Sequence, residues 1–279
     1  MPTAKTIAVH GSTGRQGAPV AARLSRSGNA VRPLSRAIGA DLTDRASLGA
    51  AYAGADAVVL QLPLVYDERA LAMAENAARA AEAAGVTHLV INAGAVLPPV
   101  PIGVPFLDAR HIAAAADVPL VTVLQPRIYM DNLSAPWSAS RIAGDGVIAY
   151  PLPLEAALPW VAMADVAAAI DTAIASEVGG WFALPGVPTT GLEIAYALDE
   201  AIGRPVIWST ITPAAFADIL RPHLGDHAAE GTAAAYAMLA DAPPSPPLDP
   251  TPARDALGWA PRDIATWAYE QPLAMARAA

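Results

Sequence analysis

Thr6-Ile-Ala-Val-His10 runs straight into Gly11-Ser-Thr-Gly14-Arg-Gln-Gly17 and then into the alanine-rich stretch that ends at Gly28. The first five residues have the apolar, β-branched character of a buried strand. The stretch over 15–27 reads as a helix, with Gly28 placed to end it. Three glycines spaced this way between a strand and a helix make a dinucleotide-binding turn. Gly11 permits the tight turn, Gly14 lets the backbone approach a pyrophosphate, and Gly17 lets helix and strand pack closely. The helix points its free N–H groups and the positive end of its dipole at the phosphates. Thr13, Arg15 and Gln16 complete the loop as cofactor-binding candidates.

The second strand decides which dinucleotide is expected. An NAD site places Asp or Glu about 20 residues on, to hold the ribose 2′-hydroxyl. Here Ala30-Val-Arg-Pro-Leu-Ser-Arg36 carries Arg32 and Arg36 and no carboxylate. A guanidinium fork suits a 2′-phosphate, and Arg15 is a third candidate contact, so NADP(H) is the expected cofactor. The alternative is that these are solvated surface arginines. Asp41 reads equally as a contact to the adenine edge and as a loop or helix-capping residue.

The 279 residues suffice for one large or two interlocked domains. Hydrophobic residues make up 54% and charged residues 15%, which favours a large core. The net charge of −9 lacks the basic stripe that nucleic-acid binding needs. The absence of cysteine removes disulfides, thiolate metal sites and a cysteine nucleophile. No run resembles a signal peptide or a bilayer span, so a cytoplasmic protein is expected, with no membrane partner and a homodimer as the association to test.

Strand and helix patterns alternate through the first half. Strands are expected at 55–62, 86–91 and 119–124, and helices at 66–84 and 105–116. This rhythm predicts an α/β fold of Rossmann type, a doubly wound parallel sheet with helices on both faces. Residues 1–135 form the cofactor domain, to which 160–185 returns. Residues 136–159 and 186–279 form a smaller, mostly helical substrate lobe making a cleft over the cofactor. In the lobe, helices are read from 189 to 202, from 213 to 220 and from 227 to 240, with a strand-like run at Pro205-Val-Ile-Trp-Ser209. The run Pro243-Pro-Ser-Pro-Pro-Leu-Asp-Pro-Thr-Pro252 reads as extended chain, since its prolines oppose helix.

Several stretches resemble the NmrA-like branch of the atypical short-chain dehydrogenase/reductases. They are the glycine loop, Val31-Arg-Pro-Leu-Ser-Arg36, Ala40-Asp-Leu-Thr-Asp-Arg-Ala-Ser-Leu48 and Ala53-Gly-Ala-Asp-Ala-Val-Val59. Ala81-Glu-Ala-Ala-Gly-Val-Thr-His-Leu-Val90, Val121 to Leu133 and Ala201-Ile-Gly-Arg-Pro-Val206 fit the same pattern. The resemblance implies a Rossmann-type fold and an NADP(H) cofactor. It leaves the reaction open, because members include NADPH-dependent quinone reductases, phenylpropanoid-type reductases and catalytically silent NADP(H) sensors.

Classical relatives use a Tyr-x-x-x-Lys pair with an upstream Ser. Lys5 is the sole lysine, and Phe106 and Arg110 stand at the matching spacing. Phe106 has no proton to give, and the pKa of Arg110 is too high for proton shuttling. Asn92-Ala93-Gly94 offers no Ser. Two outcomes stay open: hydride transfer to an electron-poor carbonyl, quinone or enone without a strong protein acid, or cofactor binding without chemistry. A non-redox isomerase or cyclase is a third. Arg110, Asn92 and Tyr129 are the catalytic candidates. Phe106, Tyr129 and Trp137 are the substrate-pocket candidates, with Tyr129 also read as a packed residue.

Leu62 and Pro63, after Gln61, are expected to wall the cofactor channel with Ala93, and Tyr66 to close over it. Arg127 is expected in a structural ion pair, and His10 and His88 as buried, hydrogen-bonded strand residues. His223 and His227 lack a third ligand at convincing spacing, so no metal site is expected.

Overall fold

The computed structural model describes residues 4–241 and 247–271. Its elements begin with β1 (Thr6–His10), α1 (Gly17–Arg26), β2 (Ala30–Leu34), α2 (Arg45–Tyr52), β3 (Ala57–Leu60), α3 (Arg69–Ala83), β4 (His88–Asn92), α4 (Pro105–Ala114) and β5 (Leu120–Pro126). They continue with β6 (Ile128–Tyr129), α5 (Pro136–Asp145), β7 (Val147–Tyr150), β8 (Leu158–Val161), α6 (Met163–Ala175), β9 (Gly180–Leu184), β10 (Val187–Thr189) and α7 (Gly191–Ile202). Last come β11 (Ile207–Thr210), α8 (Pro213–Leu224), α9 (Asp226–Asp241), α10 (Thr251–Leu257) and α11 (Ile264–Tyr269).

The described residues fall into two units. The first is drawn from Met1–Arg127, Met163–Leu184 and Asp249–Ala260, the second from Ile128–Ala162, Pro185–Leu248 and Pro261–Ala279. The stretch Asp249–Ala260, read from the sequence as part of the lobe, belongs to the first unit.

The first unit is an α/β fold around a six-stranded sheet in the order β2-β1-β3-β4-β5-β9, with every pairing parallel. The chain winds outward from β1, with β2 on one side and β3 on the other. This reversal opens a crevice at the carboxyl ends of β1 and β3, where the glycine loop begins. β3 and β4 are buried along their whole length, as central strands covered on both faces must be. Pro33 is tolerated because β2 is an edge strand, paired only with β1.

Alanine lets the helices approach closely. On α3 the residues Ala70, Ala74, Ala77 and Ala81 form a buried stripe at helical spacing. α1 is pinned to α6 through Asp171, which accepts from Arg23 Nε at 2.8 Å and from Ser27 Oγ at 2.7 Å. Lys5 Nζ donates to the carbonyl of Ile174 at 3.1 Å and pairs with Glu177 at 2.9 Å, holding the end of α6.

Helices make up most of the second unit's regular structure. It carries a three-stranded sheet, β10-β8-β6, and a two-stranded sheet, β11-β7. β11 falls on the strand-like run Pro205-Val-Ile-Trp-Ser209, whereas β8 and β10 are hidden in the sequence because they are short and interrupted by proline, with Pro159 and Pro188 facing each other across them. Its core gathers around Tyr150, whose ring lies 5.1–5.5 Å from those of Trp160, Trp208, Phe216 and Tyr236. α7 opens with a Thr190–Glu193 capping box and closes on Gly203 in the left-handed region. The Arg204 side chain then donates to the carbonyls of Ile142, Ala143 and Gly144 at the end of α5. α10 starts inside the proline-rich run, where a first-turn proline is tolerated, contrary to the extended chain expected there. Positions 243–246 of that run lie outside the described residues.

Two buried histidines tie the first unit's stability to pH. His10 Nε2 meets the Tyr52 hydroxyl at 2.6 Å, and His88 Nε2 meets Thr122 Oγ1 at 2.8 Å. Thr122 donates its own proton to the Val178 carbonyl, so His88 is the Nε2–H tautomer. Burial pushes both imidazoles down to about 4, with Lys5 adding to the effect on His88. The unfolded chain, titrating near 6.5, takes up these protons first. Stability present above pH ~6.5 should therefore be lost as pH falls towards 4, by up to about 3 kcal/mol per histidine. Urea unfolding at pH 7 and pH 4.5 should show this loss, and His88→Gln should shrink it. An unchanged difference in the variant would remove His88 from the account.

Candidate functional site

The glycine loop leaves the carboxyl end of β1 under tight steric constraint. Gly11 has φ +63, and the Gly14 N–H donates to its carbonyl at 2.7 Å. A Cβ on Gly17 would lie 2.2 Å from the Gly11 oxygen and 2.8 Å from that of His10, which no side chain can satisfy. One on Gly14 would lie 3.2 Å from the same Gly11 oxygen. Thr13, Gly14 and Arg15 are exposed and Gln16 is half-buried. Gln16 precedes α1 without a side-chain cap, and no acidic residue stands in the first turn. The helix terminus therefore offers N–H groups and positive potential beside a backbone stripped of side chains, a cradle suited to a pyrophosphate.

At the end of β2 the arginines separate. Arg32 Nη1 donates to the carbonyls of Ala51 and Ala53, both at 2.8 Å, and so ties β2 to the end of α2. It is a structural residue rather than the phosphate ligand expected. Arg36 is exposed; its carbonyl accepts from the Gly39 amide at 3.3 Å, and its guanidinium makes no hydrogen bond among the described residues. Beside it the Ser35 hydroxyl is buried without a partner, an orphan that the sequence reading missed. Asp41 is engaged locally, accepting from the Thr43 amide at 2.9 Å and hydroxyl at 2.8 Å, which holds its carboxyl below the usual range. Its side chain serves a loop turn, the second of the two roles read for it.

The next strand ends carry carboxamides. Gln61 and Asn92 are buried at the ends of β3 and β4, and Asn92 Nδ2 donates to Gln61 Oε1 at 3.5 Å. Gln61 Nε2 reaches back to the His10 carbonyl at 3.5 Å. Leu62 is half-buried and Pro63 exposed beyond them. Gln125, at the end of β5, accepts from the Leu97 amide at 2.8 Å. Its place in this row was not foreseen, since nothing in the sequence sets it apart from a loop amide.

Arg110 sits differently from the ribose or substrate donor expected. It is buried, its Nε donates to the Ala93 carbonyl at 3.0 Å and its Nη1 donates to the carbonyl of Phe106. Its guanidinium carbon lies 3.7 Å from the centre of the Phe106 ring. Phe106 in turn stacks on Tyr66 at 4.7 Å. Ala93 is held on both sides, because its N–H donates to the Leu124 carbonyl at 2.9 Å. Arg110 therefore clamps α4 to the end of β4.

Arg127 also departs from expectation. Its Nε is buried without a partner and it forms no ion pair among the described residues, and burial lowers its pKa. Tyr129 and Trp137 belong to the second unit. Tyr129 is buried on β6, opposite Val161 of β8. Trp137, on α5, lies 6.0 Å from the His223 ring and lines a groove of about 520 Å³ with Arg141, Asp145 and Asp218. Among the described residues no cluster of His, Asp or Glu can hold a metal ion, and no helix is long and apolar enough to cross a membrane.

Over residues 3–268 the chain matches the NmrA-like family. An NAD(P)H azoreductase of Xenophilus azovorans is 32% identical over 179 residues, a match spanning 62% of this chain and 60% of that protein. The triphenylmethane reductase of Citrobacter sp., solved with NADP(H), superposes with a TM-score of 0.71 at 21% identity, over 94% of this chain and 99% of that one. An NADPH-dependent quinone oxidoreductase of Escherichia coli, solved with NADPH, gives 0.62 at 21% identity, over 94% and 98%.

The geometry makes two stability predictions. Arg110→Ala takes the side-chain donor from the Ala93 carbonyl and the guanidinium from the Phe106 ring, and should cost about 1–3 kcal/mol in urea unfolding. Arg110→Lys should recover less than half of that, because an ammonium cannot bridge both carbonyls and stack. Gly17→Ala should cost at least ~2 kcal/mol, since backbone must move to admit the methyl group. A wild-type unfolding midpoint in either alanine variant would sink the corresponding claim.

Proposed function

The chain belongs to the NmrA-like family, and from that premise we propose that it binds NADP(H) and reduces a small apolar carbonyl, quinone or enone without a Tyr-Lys pair. The observation that carries this reading is the glycine loop itself, in which Gly11 stands at φ +63 and Gly14 and Gly17 crowd its carbonyl too closely for ordinary side chains. The orphaned Ser35 hydroxyl and the exposed Arg36 stand together at the end of β2, and their chemistry suits a 2′-phosphate. The azoreductase, dye reductase and quinone oxidoreductase names of the relatives agree with reductive chemistry.

When bound, the cofactor supplies the hydride. The loop and the start of α1 would hold its pyrophosphate, and Ser35 with Arg36 its 2′-phosphate. The amides of Gln61 and Asn92 can orient an uncharged carboxamide or a developing oxyanion but cannot release a proton near neutral pH. Arg110 keeps the Phe106 and Ala93 walls in place. An electron-poor acceptor suits such a site, because its reduced anion is delocalised and water can protonate it.

The same lack of a proton donor among these strand-end residues favours a second reading, a catalytically silent NADP(H)-binding regulator. Titration calorimetry with NADPH and NADH, followed by a quinone and enone panel at the reduced-nicotinamide absorbance band, separates the two. Acceptor-dependent oxidation supports the reductase; tight NADPH binding with none across the panel favours the regulator. Absence of binding to either cofactor would overturn both. Arg36→Ala should weaken NADPH about ten- to a hundredfold and leave NADH unchanged. Equal losses would dismiss Arg36 as the phosphate reader.

A further inference from the structure

A second groove, of about 520 Å³, lies in the second unit between β10, α7 and α11, and the proposed reductase leaves it without a role. On α7, Glu193, Tyr196 and Glu200 fall three and four residues apart and face the groove, while Ile194, Leu198 and Ala201 are buried on the other side. α7 thus presents two stripes, one to the core and one to this groove. α11 contributes Ile264 and Tyr269, and Asp263, its N-terminal cap, completes the wall.

Tyr196 is 64% exposed and Tyr269 58% exposed. A single exposed aromatic needs no explanation, but two in one groove mark a contact surface. The groove holds three carboxylates and no lysine or arginine. Two of them are fixed by capping: Glu193 accepts from the Thr190 amide at 2.7 Å, and Asp263 from the Thr266 amide at 2.7 Å. The groove beside Trp137 differs, since there Arg141 offsets Asp145 and Asp218.

We propose that this groove receives a segment of a partner protein that carries arginine among apolar residues. The apolar residues would cover Ile264 and the tyrosine rings. Arginine fits better than lysine, because its planar guanidinium stacks on a phenol ring and meets a carboxylate with two parallel bonds. A second copy of this chain is a poor occupant. Symmetric pairing would set the three carboxylates against their own kind, on a chain of net charge −9.

The test uses the full chain and a labelled peptide, acetyl-Leu-Arg-Ala-Leu-Arg-Ala-Leu-Arg-amide, read by fluorescence anisotropy. Versions with glutamate or lysine in place of arginine, and agmatine as a free guanidinium, serve as comparisons. The arginine peptide should bind, the lysine peptide more weakly and the glutamate peptide not at all. Tyr196→Ser should weaken binding about tenfold or more, as expected for an aromatic anchor. Glu193→Gln with Glu200→Gln, which keeps the capping geometry, should weaken it severalfold and flatten its salt dependence. NADPH affinity and the thermal midpoint should stay at wild-type values in these variants.

No binding of the arginine peptide, or undiminished binding by Tyr196→Ser, would overturn the proposal. Agmatine binding as tight as the peptide would reassign the groove to a free organic cation. A dimer in sedimentation that Tyr196→Ser dissolves would reassign it to a second copy.

Discussion

The candidate site depends on one close approach, that of Gly17 to the carbonyl of Gly11. With 2.2 Å between that oxygen and a Cβ at position 17, α1 can start only against bare backbone. This contact fixes the angle at which α1 leaves β1, and so decides where its free N–H groups point. The angle is then held from a distance. Arg23 of α1 and Ser27 at its C-terminal cap both bond Asp171 of α6, and Lys5 just before β1 bonds the carbonyl of Ile174 at the end of α6. A motif of seven residues is thus braced by a helix about 150 positions later in the chain.

Periodicity made much of the first unit legible. Unbroken apolar runs gave β1, β3, β4 and β5, and alanine at helical spacing gave α3, with glycine marking where helices stop. α2 is harder to read, because Gly49 lies inside it and its start depends on Asp44 capping the Ala46 amide. In the second unit the strands span four residues or fewer, and β8 and β10 are interrupted by prolines, so alternation has little room to show.

The arginines show why site chemistry was less legible than fold. Sequence names a residue type and its approximate place, but a guanidinium reaches far enough to choose among several partners. Arg32 found two carbonyls at the end of α2, Arg110 found Ala93 and Phe106, and Arg204 found the end of α5. In each case the partner is a main-chain carbonyl, which no side-chain pattern announces. Asn132 behaves alike: within Val121 to Leu133 it reads as a motif residue, yet its amide donates to the hydroxyls of Tyr150 at 3.3 Å and Tyr236 at 3.2 Å. Its work in the aromatic core becomes visible only once β7 and α9 are in place.

Locking arginines onto carbonyls has a chemical consequence. The side chains at the ends of β3, β4 and β5 are Gln61, Asn92 and Gln125, all neutral amides. A guanidinium free to move among them would favour an anionic intermediate over its protonated product; one tied to Ala93 and Phe106 shapes the wall instead. Amides are indifferent to pH across the physiological range and accept or donate a hydrogen bond equally well. A site of this kind orients a ligand without moving its protons. Under the proposed reductase reading, the choice of acceptor would then rest on the acceptor's own electronics, and the protein's contribution would narrow to holding two reactants in register.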